Sequence, residues 1–130
     1  MAEKRPVQEA DSIIRDIKER RFSPIYILMG DESYYIDKIS DVLSDTVLQT
    51  EERDFNQIIL FGTDTTAVQI ADLCRAYPMM AEHRVVIIKE AQAIRSFEPI
   101  EKYLEKPVSS TILVLCYKNG TIDKRKKIIK

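Results

Sequence analysis

The sequence predicts an α/β fold: a three-layer domain around a mostly parallel sheet. Three observations carry that prediction. Four short apolar runs, "IYILM" (25–29), "QIILF" (57–61), "RVVIIK" (84–89) and "TILVLCY" (111–117), are continuous rather than alternating, as strands covered on both faces are. Segments with apolar residues at helical spacing separate them, the alternation that builds βαβ units. A chain of 130 residues, 45% hydrophobic and 32% charged, describes one folded domain able to bury about two-thirds of its unfolded surface.

Taken in order, Pro6 opens a helix whose Val7, Ala10, Ile13, Ile14 and Ile17 fall on one stripe, with charges filling the rest up to Arg21. The first strand (25–29) ends at Gly30. Asp31 or Ser33 can cap the next helix, on which Ile36, Ile39, Leu43 and Val47 recur at helical spacing. The second strand (57–61) runs into Gly62 and "TDTT", a cap for a helix carrying Ala67, Ile70, Ala71 and Cys74 on one face. After "YPMMAEH" comes the third strand, then a short helical stretch interrupted at "RSFEP" and resumed in "IEKYLEKP" up to Pro107. The fourth strand leads through "KNG" into a basic helix start, "TIDKRKKIIK", so the chain reads as the first domain of something longer.

Composition limits the function. Twenty Lys and Arg nearly balance 21 Asp and Glu, and a net charge of -1 offers no bulk attraction for nucleic acid or acidic lipid. The N-terminal stretch mixes charge with scattered apolar residues, unlike a signal peptide or a membrane span, so a cytoplasmic protein with no membrane contact is expected. Cys74 and Cys116 sit in apolar-periodic segments and read as reduced, buried thiols. His83 is the only histidine, which excludes multi-His metal sites, and it is expected to be solvated.

Folds of this class gather ligands at the carboxyl ends of their strands, which makes "MGDESYYIDKI" a candidate phosphate loop. Such a loop needs several glycines, then a lysine beside Ser or Thr. Here Gly30 is followed by the carboxylates Asp31 and Glu32, which repel an anion, and by the bulky Tyr34 and Tyr35. Lys38 lies at least a helical turn too far along. The third strand should end in Asp–Glu for magnesium and water; it ends in Lys89 and Glu90. The site is therefore read as degenerate, with no catalytic residue, metal or cofactor. A phospho-accepting receiver domain fails on the same Lys89, which stands where its aspartate belongs.

Two features remain. In "RAYPMMAEHR" (75–84), Pro78 breaks the helix, and Tyr77, Met79 and Met80 either fold onto the core or form a partner-binding tip, for which adaptable methionines and an aromatic anchor are suited. The run Lys124, Arg125, Lys126, Lys127 is either a solvated helix face or a phosphate contact, without an aromatic stacking platform.

The order "RFSPIYILMGDESYYIDKI", "FNQIILFGTDTT", "LCRAYPMMAEHRVVIIKEAQ", "LEKPVSSTILVLCYKNGTIDKRKKI" resembles, over nearly the whole chain, the N-terminal domain of the delta subunit of the bacterial DNA polymerase III clamp loader. The resemblance implies a P-loop or AAA+-like domain (1–130) with a degenerate nucleotide site, its lid and collar domains lying beyond residue 130. It implies binding to the sliding clamp (the beta subunit), help in opening that ring during DNA replication, and no ATP hydrolysis of its own. Tyr77, Met79 and Met80 match the family's clamp-contacting element. They are expected beside the remnant phosphate loop, on the same sheet edge. Other loader subunits would attach through the missing domains, and the basic run would touch DNA or a neighbouring subunit. The competing classes are a small ATP-dependent P-loop enzyme and a DNA-binding α/β domain.

Overall fold

The computed structural model describes residues 6–30 and 33–118. Asp31, Glu32, Lys124, Arg125, Lys126 and Lys127 lie outside the described residues, as do the side chains of Val7 and Ala10. Along the chain run α1 (Pro6–Lys18), β1 (Ile25–Gly30), α2 (Ser33–Thr46), α3 (Thr50–Asn56), β2 (Gln57–Phe61), α4 (Ala67–Arg75), β3 (Arg84–Lys89), α5 (Glu98–Glu105) and β4 (Thr111–Lys118). Single 3-10 turns follow β2 at Gly62–Asp64 and β3 at Ala91–Ala93. The four strands form one sheet in the order β1-β4-β3-β2, every pairing parallel.

Strand side chains alternate between two cores, which is why the continuous apolar runs are needed. On one face Ile25, Ile27, Val86, Ile88, Leu113 and Leu115 meet Ala67, Ile70, Ala71 and Cys74 of α4 and Ile100, Tyr103 and Leu104 of α5. On the other, Tyr26, Leu28, Val85, Ile87, Ile112 and Val114 meet Ile14 and Ile17 of α1 and Ile36, Ile39 and Leu43 of α2. The register places Ile27 beside Leu115 and Leu115 beside Ile88, so each core is continuous across β1, β4 and β3. α4 starts where Thr66 caps it: the Thr66 hydroxyl accepts from the Gln69 N–H at 3.2 Å, and Gln69 Oε1 accepts from the Thr66 N–H at 3.0 Å.

Two features depart from the sequence reading. α3 was not anticipated, because "TEERDFN" has Phe55 as its one large apolar residue and no apolar period; its start rests on the acidic Glu51 and Glu52 and on Glu52 Oε1 accepting the Gln49 N–H at 2.9 Å. β2 is also not covered on both faces. It is an edge strand that α2 meets at its start, where Gln57 Nε2 donates to Ser44 Oγ at 3.0 Å, while Ile59 and Phe61 remain nearly half exposed.

Candidate functional site

Because all strands are parallel, the sheet has a carboxyl end and an amino end. At the carboxyl end stand Gly30, Phe61, Lys89 and Lys118; at the amino end stand Ile25, Gln57, Arg84 and Thr111.

The carboxyl end holds the expected ligand position. Tyr34 is 58% exposed and lies edge-to-face on Tyr35, centroids 5.0 Å apart. The Lys38 ammonium sits 5.8 Å from the Tyr34 ring centroid, a cation–π contact one turn into α2. Lys89 ends β3, and Glu90 follows in the left-handed region at φ 55°, its carboxylate accepting from Gln92 Nε2 at 2.8 Å and its carbonyl from the Ala93 N–H at 3.0 Å. A Cβ at Gly62 would stand 2.2 Å from that same Glu90 carbonyl oxygen, so the backbones leaving β2 and β3 touch where only glycine fits. Glu90 is half-buried and stands immediately before the 3-10 turn Ala91–Ala93 as its N-cap. Among the described residues no group of three or more His, Cys, Asp or Glu side chains is placed to hold a metal ion.

The loop 76–83 leads into Arg84 and therefore lies at the amino end. The expected place beside the phosphate-loop remnant is corrected by the parallel topology: Gly30 and the loop are separated by the length of a strand, roughly 20 Å. Of the two options left open for its side chains, the outward one is found. Tyr77 is 76% exposed, Met79 59% and Met80 99%. Met80 also has φ 55°, a left-handed conformation that a residue with a Cβ adopts at a cost.

The base beneath this apolar tip is polar and buried. Arg84 donates from Nε to the Leu73 carbonyl at 3.1 Å and from Nη1 to the Phe55 carbonyl at 3.5 Å, joining the last turns of α4 and α3, where a cation also suits the helix dipoles. Thr111 Oγ1 donates to the Cys74 carbonyl at 2.8 Å, and the Tyr103 hydroxyl reaches the same oxygen at 3.5 Å. Asn56 is 1% exposed; its Oδ1 accepts the Met79 N–H at 2.6 Å while its Nδ2 donates to the Met79 carbonyl at 2.8 Å and to the Glu52 carbonyl at 3.0 Å. Burial pushes the Cys74 thiol up to about 12, against the opposing pull of Arg84 and Arg75, so it stays protonated and unreactive at neutral pH.

Beside the tip a groove is lined by Arg20, Leu48, Gln49, Glu52, Met80 and His83. Arg20 donates to the Thr46 and Val47 carbonyls at 3.1 and 3.4 Å and lies over the Phe22 ring at 5.0 Å. His83, expected to be solvated, is half-buried edge-to-face on Phe22, centroids 5.3 Å apart, because Phe22 comes from the turn before β1 at the same end of the sheet.

The sequence matches the family profile of the DNA polymerase III delta subunit over residues 26–130. It is 28% identical over 127 residues to the DNA polymerase III subunit delta of Bacillus subtilis strain 168, covering 89% of this chain and 36% of that protein. The fold superposes on the Bacillus subtilis DNA clamp loader delta protein with a TM-score of 0.80 and 25% identity, covering 91% of this chain and 38% of that one. It also superposes on a DNA polymerase III gamma subunit-related protein of Thermotoga maritima, TM-score 0.58 and 19% identity over 84% of this chain, a likeness of fold alone. The chain thus spans little more than a third of the relatives it matches, and no helix among the described residues is long and apolar enough to cross a membrane. Matched by that family's profile over most of its length, the chain belongs to the DNA polymerase III delta subunit family of clamp-loader proteins.

Proposed function

We propose that this chain is the AAA+-like N-terminal domain of a clamp-loader delta subunit and that it binds the sliding clamp through Tyr77, Met79 and Met80. One observation carries the reading: three large apolar side chains project into solvent from a loop whose main chain is tied down by buried polar groups. A loop without a binding role gains nothing from exposing Met80 fully in a strained conformation.

Burying two or three such side chains is worth roughly 1.5–3 kcal/mol each, about 4–8 kcal/mol in all before the costs of association. That sustains docking, but not forcible rupture of a large subunit interface. Ring opening then follows from differential affinity: the tip binds a clamp whose interface is already strained better than a relaxed one, and shifts the population toward the open ring.

In this reading the carboxyl end is a remnant nucleotide site. Lys38 is engaged with Tyr34, and Lys89 stands where a magnesium-binding carboxylate is required, so ATP is left to sister subunits. The direct experiment is titration of this protein against the sliding clamp of its own organism. Met79→Ala with Met80→Ala is expected to abolish binding and leave the circular dichroism and unfolding midpoint unchanged; undiminished affinity would sink the assignment.

A further inference from the structure

We infer that Asn56 is a positioning residue for the tip, its buried carboxamide gripping both main-chain polar groups of Met79 and so fixing where Met79 and Met80 are presented. The inference rests on the clamp-binding reading of the tip. A carboxamide that accepts from the N–H and donates to the C=O of one residue reproduces the pair of hydrogen bonds an antiparallel strand would make, at a place where no strand runs among the described residues. The orientation is dictated: a flipped amide would set its NH2 against the Met79 N–H and its oxygen against the carbonyls of Met79 and Glu52. The bond to the Glu52 carbonyl anchors the group to α3, the helix that sequence periodicity does not reveal.

The chemistry of the position is narrow. Alanine removes all three bonds. Aspartate keeps the acceptor for the Met79 N–H but turns a carboxylate oxygen toward two carbonyls. Without the grip, the loop is held at the end of α4 and at Arg84, and Met80 has nothing adjacent to enforce its left-handed backbone. The loop's order, now supplied on folding, would have to be supplied on binding, which lowers affinity without altering any contacting side chain.

The test uses the 130-residue chain with Asn56→Ala and Asn56→Asp, read by clamp titration and by amide hydrogen exchange. For Asn56→Ala the expectation is about tenfold weaker binding, with protection lost at the Met79 amide and retained at Val85–Ile88 in β3. Asn56→Asp should fall between it and wild type, and it serves as the second variant if alanine prevents folding. Full affinity in Asn56→Ala with the Met79 amide freed overturns the positioning role, even where Met79→Ala with Met80→Ala still loses binding. Protection lost equally at Met79 and throughout β3 overturns it in favour of a purely structural residue. If the double methionine variant keeps its affinity, it is the tip assignment that fails, and the inference falls with it.

Discussion

The two ends of the sheet use their polar groups in opposite ways. At the carboxyl end, where folds of this class hold ligands, the turns after β2 and β3 are packed backbone to backbone at Gly62 and Glu90, and Lys38 rests on a tyrosine ring. At the amino end the arrangement is inverted. Among the described residues four polar side chains are buried, Ser40, Asn56, Arg84 and Thr111, and three of these converge beneath the loop that exposes Tyr77, Met79 and Met80. Burying a polar group costs free energy unless it is fully bonded, so such groups gather where a particular main-chain conformation must be held. The contrast separates an end closed by backbone packing from an end where buried polar groups underlie exposed apolar side chains, as the proposed clamp-binding tip requires.

The strongest way to break this comparison is Gly62→Ala. Its methyl carbon would stand 2.2 Å from a backbone oxygen that cannot swing away, so β2 and β3 must part at their carboxyl ends. The expected loss is about 1–3 kcal/mol, the usual cost of overpacking, seen as a lower denaturant midpoint. Clamp affinity of the folded fraction should stay at the wild-type value. A variant as stable as wild type, or one that lost affinity while remaining folded, would show that the two ends are not independent.

Thr111→Val acts at the other end, removing the hydroxyl that donates to the Cys74 carbonyl at 2.8 Å while keeping volume and branching. One net hydrogen bond amounts to about 1 kcal/mol. The Tyr103 hydroxyl remains near that oxygen, so collapse is not expected. Exchange at the end of α4 should quicken before exchange in β1 does. Uniform change across the sheet would mean that Thr111 supports the core at large and not the base of the tip.

How far these regions could be read from sequence follows from the kind of signal each carries. The four strands and the stripe Ala67, Ile70, Ala71, Cys74 were legible because burial on fixed faces imposes a period. The tip was legible as a segment, through Pro78 and its run of large apolar residues, but the direction of Met79 and Met80 was not, since exposure depends on what lies beneath. Asn56 and Arg84 were missed for a related reason. Their bonds join α3, α4 and the loop across separations of 11 to 29 residues, and a lone Asn or Arg carries no periodic mark. The same holds for His83, which finds Phe22 through the fold. The place of the tip at the amino end required knowing that β3 runs parallel to β1, which strand patterning suggests and pairing establishes.

The finest distinction concerns Met80 alone. Its φ of 55° is free of cost for glycine, and its side chain, 99% exposed, contributes almost no burial to the isolated domain. Met80→Gly should therefore leave the fold as stable as wild type or stabilise it by up to about 1 kcal/mol, the relief of left-handed strain offsetting the greater freedom of the unfolded chain. Clamp binding should move the opposite way, because the side chain lost is one that the proposed interface buries. Stability and affinity changing in opposite directions at a single residue is what a strained, presenting position predicts. If Met80→Gly destabilised the domain, the left-handed backbone would be held by core packing of the methionine, and the reading of the amino end as a built display would fail at its most exposed residue.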